Sequence, residues 1–410
     1  MNNYTLSNGL SIYCYNDPNK HSVSVNLVVK YGGFDSDFKV NGTDHQVVDG
    51  MAHLIEHYVL EESNYGNLMK YFGGCHMDSN GATYSDHTLF FFDAVTNVYE
   101  GLERLIKGIH NVEFTPEKLE ETKFAIRDEI RMRKDQKSRR IMEESMKNIF
   151  HNIPYRNNLG TIEQLDSITV DDIKLCFESF YKPENEFVVI VGNFDEKKMI
   201  EQIEILYQSL TFQTDKVEKI IIEEPDEIVN LRGEVSLPTG EPMYNLTFKI
   251  NLNHLSNEER LRLDFYFSYF IKINFGSLSP LRKKLIEKNI IRDRLMFSRQ
   301  NLSHFMIFTI GGYTNQFDDL KSNILNCIQH PTFDQESFEL CIKDTKLDFV
   351  LRPETSGGIT YPFITNTVEY DYPYLDTMSY LNQFDFDDFC NIIGTLNFSF
   401  LTETILIDQN

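Results

Sequence analysis

Two histidines and a glutamate stand close together in the otherwise largely apolar segment DGMAHLIEHYVLEES, residues 49–63. A helix has 3.6 residues per turn, so His53 and His57, four positions apart, point the same way and can bind one metal ion. Zinc prefers such imidazole ligands, and it lowers the pKa of a bound water to about 7. Glu56 lies beside the histidines, where it can take a proton from that water and later deliver it to a leaving amine. The pattern therefore predicts a zinc site that activates water.

A catalytic zinc site takes three protein ligands and leaves one position open, so the motif needs a third ligand. The segment FTPEKLEETKFAIRDEIRMRKDQ predicts a long helix with Thr115 as its N-cap and Pro116 at its first position, and we expect Glu129 to supply the ligand. The helical spacing places four other residues on the face of Glu129: Thr122, Ala125, Ile126 and Met132. A carboxylate in such an apolar stripe is costly unless it is paired, and a metal ion would pair it.

A structural interpretation of the same residues stays open. Histidine and glutamate on one helix can satisfy each other without a metal, and a pattern as short as HxxEH also arises by chance. Glu129 on its own could be a solvated helix residue. Met51, Leu54, Ile55, Tyr58 and Val59 are expected to pack the first helix in either case.

The composition limits the other possible functions. A chain of 410 residues is too long for one ordinary core, so we expect two or more domains. The formal net charge of −23 argues against nucleic-acid binding. Six scattered cysteines without a CxxC pair argue against a disulfide framework and a thiolate metal site. We see no signal peptide and no apolar run long enough for a membrane span, so a cytoplasmic protein is expected.

The order of predicted elements indicates an α+β fold. YTLSNGLSIYCYN and HSVSVNLVVKYGG predict two paired strands at the start of a sheet. Further strands are expected at residues 82–95 and 186–194, and helices at 49–63, 97–111, from Pro116 onward and at 195–210. The acidic segment QTDKVEKIIIEEPDE is expected to connect two domains, 1–215 and 216–410.

The second half repeats the pattern of the first. The segment from Ser303 to Val350 follows the strand, helix and capped-helix order of the segment from Asp86 to Ile130, which places Asp348 opposite Glu129. The second copy lacks HxxEH. We therefore expect two homologous domains, each a mostly antiparallel sheet packed with helices, of which only the first carries the metal motif.

HxxEH is the inverzincin motif, and its surroundings here resemble the pitrilysin-type peptidases, the family of insulin-degrading enzyme and mitochondrial processing peptidase. VVKYGGFDSDF, VVDGMAHLIEHYVLEES and YFGGCHMDSNGATYSDHTLFFF are similar to the family's strand, active-site helix and edge strand. IRDEIRMRKDQ resembles the segment with the distal zinc ligand, which places that role on Glu129. The resemblance, closest to the small two-domain bacterial members, implies a zinc peptidase whose edge strand at Asn80, Gly81, Ala82 and Thr83 binds an extended peptide.

The chain departs from the family pattern at two places. Many members carry a second glutamate earlier on the distal helix, where this chain has Thr122 with Glu121 beside it. This departure affects only a residue that supports the metal site, and not the metal ligands themselves. The second departure lies in FGSLSPLRKKLIEKNIIRDRLMF, within the second domain.

In the family's second domain an arginine and a tyrosine seven residues later contact the substrate. The corresponding positions here are Ile286 and Asp293, and Arg282 is followed seven residues later by Asn289. We therefore expect a heterodimer with a homologous chain that lacks HxxEH and supplies the arginine and tyrosine. A homodimer is the second possibility.

These observations predict a zinc-dependent endopeptidase that cleaves short or unfolded peptides in a dimeric chamber. By analogy with divided family members, the substrate could be a pheromone or bacteriocin precursor. The alternative is a non-catalytic scaffold or partner subunit, which some family members have become.

Overall fold

The computed structural model describes residues 1–133, 136–238, 240–351, 357–371 and 377–408. Within these residues the strands are β1 (Asn2–Thr5), β2 (Ser11–Asn16), β3 (Val23–Val29), β4 (Asp37–Val40), β5 (Thr43–Gln46), β6 (Asp78–Thr83), β7 (Thr88–Ala94), β8 (Glu186–Gly192), β9 (Val217–Lys219), β10 (Arg232–Leu237), β11 (Met243–Asn251), β12 (Met296–Leu302), β13 (Phe305–Tyr313) and β14 (Leu401–Asp408). The α-helices are α1 (Met51–Glu61), α2 (Leu68–Gly74), α3 (Val98–His110), α4 (Pro116–Arg133), α5 (Lys137–Ile149), α6 (Ile162–Ser167), α7 (Val170–Phe180), α8 (Glu196–Gln208), α9 (Asn257–Phe275), α10 (Pro280–Glu287), α11 (Phe317–Gln329), α12 (Gln335–Leu351), α13 (Gly357–Tyr370), α14 (Thr377–Leu381) and α15 (Phe386–Gly394).

The chain forms two compact units, and each combines helices with a mostly antiparallel sheet, as predicted. The first unit comprises Met1–Lys134, Arg156–Ile220 and Arg352–Leu375, and the second comprises Asp135–Tyr155, Ile221–Leu351 and Asp376–Asn410. Helix α5 thus belongs to the second unit and α13 to the first, although each lies in the other half of the sequence. The predicted division at residues 1–215 and 216–410 stays a prediction.

The first unit contains a sheet with the strand order β1-β2-β8-β3-β7-β6, in which only the β2–β8 pair is parallel. The prediction that the first two segments pair directly is wrong, because β8 lies between β2 and β3. All seven residues of β8 are buried. A strand that is apolar from Phe187 to Gly192 fits the interior of a sheet that is covered on both faces.

The predicted strand at residues 82–95 is also wrong in detail. Strand β6 ends at Thr83 and β7 begins at Thr88, and the Tyr84 N–H donates to the His87 carbonyl (2.8 Å) across a tight turn. Ser85 and Asp86 at its centre are typical turn residues. Among the strands that the structure describes, β6 is the outer strand of this sheet and pairs with β7.

The predicted helices of the first unit are confirmed with small shifts at their ends. On α1 the five residues predicted to pack (Met51, Leu54, Ile55, Tyr58 and Val59) are all buried. On α4 the predicted N-cap holds, since Thr115 Oγ1 accepts a hydrogen bond from the Lys118 N–H (3.3 Å). These two helices bring the predicted metal ligands together.

The second unit has a five-stranded sheet with the order β10-β14-β11-β13-β12. The succession β13, α11, α12 repeats the succession β7, α3, α4 of the first unit, as the sequence predicted. A second core of apolar side chains fills this unit. Among the described residues no helix is long and apolar enough to cross a bilayer.

Candidate active site

Helix α1 presents the HxxEH motif to a cavity of about 540 Å³ in the first unit. The rings of His53 and His57 lie with their centroids 4.7 Å apart, and Glu56 is 6% exposed. Gly50 starts the helix at φ +88°, where a Cβ would lie 2.7 Å from the Leu159 carbonyl oxygen. A glycine at this position therefore lets the chain turn into α1 against the neighbouring loop.

His53 lies between two carboxylates. Its Nε2 is 3.0 Å from Glu129 Oε2, and its Nδ1 is 3.3 Å from Glu56 Oε2. Burial by itself would lower the pKa of His53, but hydrogen bonds with Glu129 and Glu56 outweigh burial and raise the pKa to about 9. The His53 hydrogen bond in turn lowers the pKa of Glu129. The site therefore favours a positive charge between these groups.

His57 completes the predicted ligand set. Its Nε2 lies 3.9 Å from Glu129 Oε2, while its Nδ1 lies 3.3 Å from Glu61 Oε1 on the same helix. Zinc ligands with bonds of about 2.0–2.1 Å in tetrahedral geometry lie roughly 3.3 Å apart. The distances of 3.0 and 3.9 Å from Glu129 to the two histidines bracket that value, so His53, His57 and Glu129 fit a zinc ion.

The carboxylate of Glu129 has two distinct environments. Oε2 faces the histidines, whereas Oε1 lies 2.6 Å from Arg133 Nη2. The side chain of Glu129 is 19% exposed, so it lies at the border of the buried face of α4. That buried face consists of Leu119, Thr122, Lys123, Ile126 and Ile130.

The predicted stripe on α4 is thus only partly right. Thr122 and Ile126 are buried, but Ala125 and Met132 are exposed, Met132 to 75%. The hydroxyl of Thr122 donates to the Lys118 carbonyl (3.0 Å), and Glu121 is exposed. The face that packs is rotated away from the predicted one, with Glu129 at its edge.

Strand β6 brings two further features to the site. The hydroxyl of Thr83 donates to Glu56 Oε2 (2.7 Å), and a Cβ at Gly81 would lie 2.7 Å from Glu56 Oε1. Asn80 and Ala82 line the same cavity. The four residues predicted to bind substrate therefore line the same cavity as Glu56, while their contact with a peptide stays a prediction.

Sequence reasoning missed four residues of this site: Glu61, Thr83 as a side-chain partner of Glu56, Arg133 and Asn158. Glu61 could have been found, because it is four residues after His57 and helical spacing places it on the same face. Arg133 could have been found for the same reason, because it is four residues after Glu129 on α4. Thr83 and Asn158 carry no comparable local signal.

The second-unit residues that the sequence analysis compared with the family's arginine and tyrosine make their contacts within the second unit. Ile286 packs against the second core. Arg282 donates through Nε to the Asp293 carbonyl (3.1 Å) and through Nη1 to the Ser277 carbonyl (3.0 Å). These bonds hold the Arg282 side chain against the main chain of Ser277 and Asp293 in the same unit.

Comparison with known proteins matches both halves of the chain to models of one peptidase family. Residues 11–161 match the family model "Insulinase (Peptidase family M16)", and residues 167–342 match "Peptidase M16 inactive domain". The chain is 26% identical to the "Uncharacterized zinc protease YmfH" of Bacillus subtilis over 411 residues, covering 95% of this chain and 92% of that protein.

Two solved structures have the same fold. A putative M16-like peptidase from Alicyclobacillus acidocaldarius superposes with a TM-score of 0.89 at 21% identity, covering 99% of this chain and 97% of that one. A structure from Pseudomonas fluorescens described as a peptidase M16 inactive domain has a TM-score of 0.79 at 13% identity, covering 100% and 98%. The zinc proteases among this chain's relatives, together with a possible metal site at His53, Glu56 and His57, confirm the predicted cofactor, Zn²⁺. The chain belongs to peptidase family M16, the insulinase and pitrilysin-type zinc proteases.

Proposed function

We propose that this chain is a zinc-dependent endopeptidase, with His53, His57 and Glu129 as zinc ligands and Glu56 as general base and then general acid. The observation that carries the proposal is the convergence of the two imidazoles and Glu129 Oε2 beside a buried Glu56. When bound, zinc supplies Lewis-acid activation of the scissile carbonyl and of the attacking water. The protein side chains supply the proton transfers and the orientation.

Glu56 is placed to move a proton. Its Oε2 accepts a hydrogen bond from the Thr83 hydroxyl (2.7 Å), and the glycine at position 81 leaves space for Oε1. A carboxylate fixed in this way can take the proton of the attacking water and pass it to the leaving amine.

The outer strand β6 supports binding of an extended peptide. Residues in antiparallel pairs alternate between hydrogen-bonded and non-hydrogen-bonded positions. Tyr84 and His87 form a hydrogen-bonded pair, so the main-chain groups of Ser79, Gly81 and Thr83 point away from β7. A peptide that adds to the sheet would face the main-chain groups of this set rather than those of Asn80 and Ala82. The register thus refines the predicted substrate contacts.

We further propose that the active form is a heterodimeric chamber for short or unfolded peptides, including small gene-encoded precursors, in the cytoplasm. Ile286 and Asp293 stand where the family has its arginine and tyrosine, and Arg282 donates hydrogen bonds to the main-chain carbonyls of Ser277 and Asp293. A homologous chain without HxxEH would supply that pair. Full peptidase activity from the purified chain alone, monomeric or dimeric by size-exclusion chromatography, would contradict the heterodimer.

The test of catalysis is Glu56→Gln, with zinc content measured by elemental analysis. We expect this variant to retain zinc and to lose peptide cleavage, because Gln cannot accept the proton. A non-catalytic scaffold is the competing function, suggested by the family description of residues 167–342 as an inactive domain. A fully active Glu56→Gln variant or a wild-type chain without zinc would refute the endopeptidase mechanism.

A further inference from the structure

The edge of β6 that we propose to bind a peptide is hydrogen-bonded at one end to another residue of the chain. The side-chain nitrogen of Asn158 donates to the main-chain oxygen of Thr83 (3.3 Å), and Asn158 lines the same cavity as Glu56. We propose that Asn158 is a specificity-determining residue that closes the edge at Thr83 and so sets which peptide bond lies beside Glu56. This inference rests on the proposed binding of a peptide along β6.

The register of the β6–β7 hairpin gives the number of β6 residues that can pair with a peptide through both main-chain groups. Of the residues that point outward, Ser79 and Gly81 keep both main-chain groups directed to the open side, whereas the Thr83 carbonyl is bonded to Asn158. A peptide residue that faces Thr83 would need the same acceptor for its N–H. Asn158 therefore competes with the peptide for that bond, and pairing through both groups extends only over Ser79 and Gly81.

The loop around Asn158 is held in place from several sides. A Cβ at Gly33 would lie 2.2 Å from Asn158 Oδ1, so the glycine gives the amide its space. Arg156 Nη1 donates to Asp49 Oδ1 (3.0 Å), and the Asn157 side chain donates to the Gly160 carbonyl (2.8 Å). The amide of Asn158 is thus presented to Thr83 by a loop that is fixed independently of it.

The position of Gly81 explains why the hydrogen bond between Asn158 and Thr83 would affect the choice of the peptide bond that is cleaved. Because Gly81 lies against Glu56, the peptide residue that pairs with Gly81 is the one nearest to the base. If the edge were open at Thr83, a peptide could form an additional pair on that side. Binding strength and the choice of peptide bond would then both change.

The test is a peptide-binding scan with backbone N-methylation, which removes one N–H donor at a time. A fluorescent peptide substrate and its series of single N-methyl derivatives are titrated into the zinc-loaded full chain carrying Glu56→Gln, which prevents cleavage. We expect methylation to weaken binding about 2- to 10-fold at two positions spaced two residues apart, facing Ser79 and Gly81. At the next such position, facing Thr83, methylation should have no effect.

With Asn158→Ala, that third position should become sensitive by a similar factor, and Asn158→Ser serves as a second variant should the alanine chain fold poorly. Asn193→Ala, at an exposed asparagine outside the cavity lining, is the control and should keep the two-position pattern. A wild-type pattern in both Asn158 variants, or three sensitive positions with Asn158 intact, would overturn the proposal. So would a third position gained by Asn193→Ala. Failure of every peptide in the series to bind would instead refute the proposed binding along β6.

Discussion

Glu129 Oε2 lies 3.0 Å from His53 Nε2, although 76 residues separate the two side chains in the sequence. The contact arises because α1 and α4 pack side by side, with Glu129 at the edge of the buried face of α4. In the absence of a metal, a proton on His53 balances the two neighbouring carboxylates, as its raised pKa of about 9 indicates. A divalent cation bound at the same place would supply that positive charge.

Glu129→Gln should abolish tight zinc binding while the fold is kept. The substitution preserves the size of the side chain but removes the negative oxygen that faces both histidines. The loss should exceed the roughly 10–100-fold that removal of an outer partner of a ligand costs. Zinc affinity is measured by competition with a chromogenic chelator. Glu121→Gln, on the exposed side of the same helix, is the control and should bind zinc like the wild type.

Glu61→Gln should weaken zinc binding by about 10–100-fold. Glu61 Oε1 lies 3.3 Å from His57 Nδ1, so it fixes the ring with Nε2 toward the metal site and makes the imidazole a stronger ligand. The same chelator competition measures the effect. Glu62→Gln changes the adjacent residue, whose side chain is not among these contacts, and equal weakening in both variants would argue against a specific role for Glu61.

Thr83→Val should lower kcat about tenfold or more with zinc content unchanged. The hydroxyl of Thr83 orients Glu56 through a hydrogen bond to a carboxylate, and bonds of this kind contribute about 1.5–3 kcal/mol. KM should change less than kcat, since the main-chain edge of β6 remains. Thr83→Ser keeps the hydroxyl and should restore most of the rate. A loss in the Ser variant with little loss in the Val variant would show that the methyl packing, rather than the hydroxyl, matters.

The sequence was sufficient for the parts of the site that depend on local geometry. HxxEH predicts two histidines on one helical face because a helix has a fixed period, and Thr115 predicts the start of α4 for a similar reason. Glu129 lies beside His53 and His57, and its role as the third ligand stays a prediction, whereas the stripe drawn through Ala125 and Met132 was wrong. The rotation of α4 about its axis depends on the packing of its neighbours, which a helical wheel does not contain.

Contacts between distant segments were not predictable in this way. The Thr83 hydroxyl meets Glu56 because the outer strand passes over α1, and Asn158 meets Thr83 from a loop 75 residues later. The position of β8 between β2 and β3 likewise depends on pairing between segments that are far apart in the sequence. A hydrophobic pattern tells which segments form strands, but the pairing partner is set by the fold as a whole.

A buried charge pair in the first unit predicts a stability that depends on pH. His110, at the end of α3, places Nε2 2.9 Å from Glu186 Oε1 and Nδ1 2.7 Å from the Ile106 carbonyl oxygen, and the Tyr207 hydroxyl donates to Glu186 (2.8 Å). Burial lowers the pKa of His110, but the Glu186 carboxylate and the Ile106 carbonyl outweigh burial and hold the pKa above its ordinary value. Both ring nitrogens face acceptors, so the imidazolium is the favoured form.

His110→Gln should destabilise the chain more at about pH 6 than at higher pH. A folded pKa above the unfolded value means that the stabilisation is fully present below the unfolded pKa of about 6.5 and is lost as pH rises through the folded pKa. The difference in the free energy of unfolding should therefore be largest, about 3–5 kcal/mol, on the acidic side and shrink toward alkaline pH. Urea unfolding across this range measures it, with His21→Gln at an exposed position as the control. A difference that stays constant with pH would show that the pair acts through packing and neutral hydrogen bonds.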